Sequence, residues 1–107
     1  MFAVVRQSVL DGIPRALPAL QRAQKLQRRA SKVGFDWDDA DGPRAKITEE
    51  LAELDTALAA QDREAIRHEI GDVLASVVNL CRFVGVEAEG ALREANRRFE
   101  QRFRQIE

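Results

Sequence analysis

The sequence predicts an all-α protein, a four-helix-bundle-like arrangement of antiparallel helices. Three observations carry this expectation. Apolar residues recur every three or four positions over most of the chain beyond Pro18, the period of an amphipathic helix. Gly34, Pro43, the pair Gln61-Asp62 and Gly85 cut that pattern into segments of helical length. The composition has few aromatics, no Tyr, and abundant Ala, Leu, Glu and Arg, all of which favour helix over strand.

The elements follow in order. Residues 1–14 are short, mixed and closed by Gly12 and Pro14, so they are expected to form an arm that either docks or frays. Residues 15–107 form the helical domain. A first helix starts at about Arg15 or Pro18 and runs to Lys32, since proline fits an opening turn. Its inner side is Ala16, Leu20, Ala23, Leu26 and Ala30, and its outer side is basic. Between Val33 and Pro43 the run Gly34-Phe35-Asp36-Trp37-Asp38-Asp39 has loop composition. Its two aromatics either cover an edge of the core or stack on a ligand. Pro43 opens a second helix that ends near Ala60, and Asp62 caps a third that continues to Phe83, with Gly85 closing it. A fourth runs from about Glu87 to the end, with Leu92, Ala95, Phe99, Phe103 and Ile106 inward.

The chemistry concentrates between Lys46 and Asn79. A helical residue's bearing advances about 100° per position. In the second helix Ile47, Leu51, Leu54 and Leu58 share one stripe and are expected to face the core, and from Ile47 the acids Glu50 and Glu53 lie at roughly 300° and 240°. In the third the stripe is Ile66, Ile70, Val73, Val77, Leu80 and Val84, and from Ile66 the acids Glu69 and Asp72 again lie at roughly 300° and 240°. Helices joined by a tight turn run antiparallel, which brings equivalent flanks together, either in the seam or outside it. In the seam, four carboxylates meet. They repel unless protonated or neutralised by a cation, and an all-oxygen set favours Mg²⁺ or Mn²⁺ over zinc. The plainer alternative is a solvated acidic face. In the fourth helix Arg98 and Arg102 share a flank, at roughly 240° and 280° from Leu92. Such a pair suits phosphate oxygens, or else pairs with Glu94 and surface acids.

Other chemistries find little support. A chain of 107 residues is one domain, and no repeat or linker divides it. The net charge of −1 gives no reason to expect a nucleic-acid polymer as partner. The single Cys81 reads as packing and fits a reducing cytoplasm, and no apolar run has the length of a membrane span. His68, the only histidine, is expected at the surface, and with Ala at position 65 the Glu-x-x-His pattern of di-iron bundles is absent.

With these residues assembled, the chain resembles a known family. Lys46-x-x-Glu49-Glu50-x-x-Glu53, followed by Glu69-Ile-Gly-Asp72, is similar to the motif of the MazG nucleoside triphosphate pyrophosphohydrolases, of the all-α NTP pyrophosphatase superfamily. So are Ala19-Leu20-x-Arg22-Ala23-Gln24-Lys25-Leu26-Gln27, Gly34-Phe35-Asp36-Trp37, Val78-Asn79-Leu80-x-Arg82-Phe83 and Ala95-Asn96-Arg97-Arg98-Phe99-x-x-Arg102-Phe103, which look like the C-terminal module of that family. The chain departs from the pattern at His68, often an acid, and at Asp38, where Pro is common. Fuller members carry two such modules, so one module implies a minimal member or an excised piece.

The resemblance implies hydrolysis of an NTP or dNTP to the monophosphate and pyrophosphate, in the manner of an enzyme that cleans nucleotide pools. It implies Mg²⁺, or Mn²⁺, on Glu50, Glu53, Glu69 and Asp72, with Glu49 orienting water. Lys46, Arg98 and Arg102 would hold the triphosphate, Asn79 and Asn96 the ligand or the acids, and Lys32 and Trp37 the sugar or base. It also implies a homodimer or larger homo-oligomer, because superfamily bundles pair across the active site. The contrasting expectation is a catalytically silent helical module that dimerises and regulates.

Overall fold

The computed structural model describes residues 8–107, and the first seven residues of the expected arm lie outside it. Four helices follow: α1 (Ala19–Ser31), α2 (Asp41–Ala60), α3 (Arg63–Phe83) and α4 (Ala88–Ile106). No strand occurs among the described residues.

Local chemistry accounts for most of the boundaries. Pro18 precedes α1 and its carbonyl accepts the Arg22 N–H at 2.9 Å, so the helix opens after proline and not at Arg15. Helix α2 begins at Asp41, two residues ahead of Pro43, because a proline in the first turn forfeits no intrahelical bond. It ends on Gln61 in the left-handed region (φ 54°). Asp62 then caps α3, its Oδ1 accepting the Ala65 N–H at 3.2 Å. Helix α3 closes at Gly85 (φ 78°), where the Val86 N–H reaches back to the Cys81 carbonyl at 2.8 Å.

Residues 8–14 lie on α1. Arg29 Nη1 donates to the carbonyls of Val9 and Asp11, each at 3.0 Å, and Ile13 is buried.

Helices α2 and α3 form the main hairpin, and α1 packs on α3. The α2 positions that bury are Pro43, Glu50 and Ala57, one every seven residues. The expected stripe therefore does not form a closed core face. Leu51 is 45% exposed and Leu58 50%, while on α3 Ile70, Val77 and Val84 are also exposed. The cause is rotation of α2 about its own axis, which turns the acidic flank into the seam and leaves the apolar stripe partly outside. On α3 the buried residues are Ser76 and Val78.

Helix α4 departs further from expectation. It touches α1 and α3 but not α2. Ala88 is buried in its first turn, yet Leu92, Phe99, Phe103 and Ile106, expected inward, are exposed. Phe99 and Phe103 stack on each other with ring centroids 6.3 Å apart. The described residues measure 68 × 35 × 29 Å with a radius of gyration of 17.5 Å. A compact domain of this length would have a radius of about 13 Å. Three helices thus form the body and the fourth projects from it.

Candidate functional site

The turn at Gln61-Asp62 folds α3 back along α2 and brings their acidic flanks together. Glu50, Glu53 and Glu69 each offer a carboxylate oxygen to one group whose atoms all lie within 4.8 Å of one another. Glu50 is only 6% exposed. Its Oε1 faces Lys46 Nζ at 3.0 Å, while its Oε2 and the Oε2 of Glu69 are shut off from solvent without a hydrogen-bond partner. Buried carboxylate oxygens without donors are costly, so a site of this kind is suited to a cation.

The electrostatics agree. The charge on Glu50 pushes the Glu53 carboxyl above its usual range, with some loss of hydration and the charges of Glu69 and Glu49 adding to it. The Lys46 ammonium is pushed up in turn, chiefly by its bond to Glu50. Glu49 lies beside Lys46, Oε1 to Nζ 3.4 Å, with its side chain 58% exposed.

Asp72 stands in a second group with His68 and Glu69, again within 4.8 Å, and Glu69 belongs to both. His68 Nε2 lies 3.2 Å from Asp72 Oδ2 at an exposed position. The four acids inferred from helix bearings, together with His68, therefore fall into two groups of three that share Glu69.

Beside them is a cavity of about 570 Å³. Lys46, Glu50, Asp72 and Asn79 contribute polar groups to its lining, and Leu26, Ala30, Phe35 and Trp37 contribute apolar ones. Trp37 is held close to the start of α2, where a Cβ on Gly42 would overlap its ring. Trp37 and Asn79 thus belong to the same cavity as two of the acids. Lys46 lines it too, whereas Lys32, Asn96, Arg98 and Arg102 do not. Lys32 is exposed beyond the end of α1, and Asn96 lines a separate groove on α4 with Arg93, Arg97 and Glu100. Arg98 and Arg102 are exposed on the projecting part of α4, which makes no contact with α2.

Some residues at the cavity escape helix-bearing arguments. Gln27 lines it, donating from Nε2 to the Ala75 carbonyl at 2.9 Å, and its Oε1 is buried without a partner. Ser76, by contrast, continues the helix-bearing flank of Glu69, Asp72 and Asn79; it is buried, lines the same cavity and donates to the Val73 carbonyl at 2.8 Å. Arg82 and Asp36 hold the aromatic loop against α3. Asp36 and Arg82 both stand in runs that carry the family resemblance, and the three-residue spacing of Asn79 and Arg82 places those two on one helical face.

A helical hairpin that gathers carboxylates beside an aromatic-walled cavity has the all-oxygen donor set that suits a hard cation. Comparison with known proteins goes further. Residues 42–106 match the model of the MazG nucleotide pyrophosphohydrolase domain. The chain is 46% identical over 104 residues to the nucleoside triphosphate pyrophosphohydrolase of Escherichia coli strain K12, covering 95% of this chain and 40% of that protein. It is 45% identical over 102 residues to the nucleoside triphosphate pyrophosphohydrolase/pyrophosphatase MazG of Thermotoga maritima, covering 95% of this chain and 39% of that one. A third relative, the uncharacterized protein YabN of Bacillus subtilis, is 43% identical over 101 residues, which are 94% of this chain and 21% of YabN. The chain belongs to the MazG nucleotide pyrophosphohydrolase domain family. It spans about two fifths of the length of the first two of these relatives.

Proposed function

We propose that this chain hydrolyses nucleoside triphosphates, ribo or deoxy, to the monophosphate and pyrophosphate, with Mg²⁺ as the working ion. The observation that carries this reading is Glu50, a buried carboxylate with one oxygen on Lys46 and the other without a partner, in a triad with Glu53 and Glu69. A silent scaffold would have no use for so costly an arrangement. The matching relatives, named as nucleoside triphosphate pyrophosphohydrolases, point the same way.

In this mechanism Glu50, Glu53 and Glu69 would hold the ion, with Asp72, grouped with Glu69, completing the set, and the all-oxygen donors suit a hard cation. A divalent ion held there would neutralise phosphoryl oxygens and activate water, which is most of what phosphoanhydride hydrolysis requires. Glu49, exposed beside the triad, orients the attacking water. Lys46 lines the cavity and offers its ammonium to the phosphate chain, and Asn79 hydrogen-bonds the ligand. Trp37 forms part of the wall against sugar or base, with Lys32 near the same loop.

Arg98, Arg102 and Asn96 require a second copy of the chain. Helix α4 does not reach α2 within one molecule, and the exposed apolar residues Leu51, Leu58, Ile70, Leu74, Phe99 and Phe103 suit a homodimer or larger assembly. Such pairing would carry the arginines of one copy to the phosphates held by the other. Among the described residues no helix is long and apolar enough to cross a membrane. The free thiol of Cys81 suits a reducing cytoplasm.

The test is pyrophosphate release from a panel of NTPs and dNTPs with and without Mg²⁺. Glu53→Ala and Asp72→Ala are each expected to abolish release while leaving helical circular dichroism intact. Full activity in both variants would overturn the site assignment. The same panel separates broad turnover from a narrow preference for one nucleotide.

A further inference from the structure

One polar connection in the molecule has no part in the mechanism above. Arg82, in the last turn of α3, keeps a side chain only 9% exposed. Its Nη2 donates to Asp36 Oδ1 at 2.6 Å and its Nη1 approaches Oδ2 at 3.4 Å, a forked grip on the loop between α1 and α2. Its Nε donates to Asn79 Oδ1 at 2.9 Å. The same Asp36 Oδ1 accepts the Trp37 N–H at 2.9 Å. The Arg82 guanidinium carbon lies 5.9 Å from the Phe83 ring centroid, which further limits its freedom.

Two consequences follow for the cavity. The carboxylate held by Arg82 fixes the backbone of Trp37, and Gly42 leaves room for the indole on the other side. The Asn79 amide is oriented as well. With its oxygen committed to Arg82, its Nδ2 is the group left for a ligand, so Asn79 serves as a donor. One guanidinium therefore governs both an aromatic wall and a polar wall of the cavity that adjoins the acids.

We propose that Arg82 and Asp36 are positioning residues that pre-set the nucleoside half of the site, holding Trp37 for the base or sugar and turning the Asn79 N–H toward an acceptor on the ligand. This rests on the nucleotide reading above and adds a division of labour to it. The acids and Lys46 handle the phosphates, while the Arg82 clamp handles the nucleoside. Asp36 itself bears the mark of the contact, because the Arg82 guanidinium holds its carboxyl below the ordinary carboxylate range. Pre-organisation of this sort lowers KM and leaves the chemical step untouched.

The experiment compares Asp36→Asn and Arg82→Lys with the wild type. The loop variant Asp36→Asn leaves the helices unaltered, so it remains informative if Arg82→Lys fails to fold. Each variant is expected to raise KM for nucleoside triphosphates by about tenfold or more while kcat stays within about twofold. The inhibition constant of inorganic tripolyphosphate, which probes the phosphate half alone, should not change. Asp36→Glu, which keeps the charge, should recover part of the loss. A fall in kcat at constant KM, or a rise in the tripolyphosphate constant in step with KM, would overturn the division of labour.

A readout independent of turnover keeps the two proposals apart. Trp37 is the only tryptophan, so acrylamide quenching of its fluorescence reports the loop directly. Quenching should increase in Asp36→Asn whether or not the protein hydrolyses nucleotides, and unchanged quenching would refute the clamp. If the wild type releases pyrophosphate from no nucleotide while quenching responds as expected, the functional reading fails and the clamp stands.

Discussion

Gln24 offers a quantitative test of what joins α1 to the projecting helix. The residue is 6% exposed, and its side chain leaves α1 to meet the junction between α3 and α4. Nε2 donates to the Val86 carbonyl and Oε1 accepts the Ala88 N–H, each at 2.8 Å. Ala88 is the first residue of α4, whose N-cap Glu87 makes no side-chain capping bond. Gln24 therefore caps α4 from a neighbouring helix. Gln24→Met preserves length and removes both polar atoms, leaving a buried N–H and a more accessible carbonyl without partners. A stranded buried polar group costs about 1–3 kcal/mol, and with the carbonyl partly recovered by water the total should be about 2–4 kcal/mol. Urea denaturation followed by circular dichroism measures this as a lower midpoint at unchanged slope, over several protein concentrations so that association is separated from folding. A loss below about 0.5 kcal/mol would mean that the two bonds exchange evenly with water and that the capping argument fails.

Two further predictions concern the acids and the aromatic loop. The Glu53 carboxyl is raised in the folded state above its ordinary value of 4.5, so its contribution to stability is full below that pH and is lost as pH rises through the raised value. In chelator, Glu53→Gln should therefore raise Tm at neutral pH, with the gain fading as pH falls through the carboxylate range. Added Mg²⁺ should reverse the order, stabilising the wild type more than the variant, and a variant that is no more stable than wild type in chelator would contradict the charge repulsion. Gly42→Ala should expel the Trp37 ring, increase its acrylamide quenching and weaken nucleotide binding, since a Cβ at that position overlaps the indole. Unchanged quenching would show that the loop yields without consequence.

Much of the site was legible because helix bearings are local. A residue's angle around its own axis depends on nothing beyond the helix, so Glu50, Glu53, Glu69 and Asp72 could be placed on matching flanks from their spacing alone. The cap at Asp62, the closing Gly85 and the early Pro43 were legible for the same reason, since each acts through the backbone within a few residues. What bearings omit is how far each helix rolls against its neighbour. That roll placed Glu50 in the seam, left Leu51 and Leu58 half outside, and divided the acids between two groups that share Glu69.

The sequence by itself determined four helices and an acidic pair on each of two of them, through periods and caps that span a turn or two of chain. Tertiary structure alone decided that α4 stands clear of α2, which takes Arg98 and Arg102 away from the acids within one molecule. It alone joined Asp36 to Arg82 across 46 positions of sequence. The physical reason is range: spacing fixes the direction in which a side chain leaves its helix, and only the packing of helices on one another fixes what it meets.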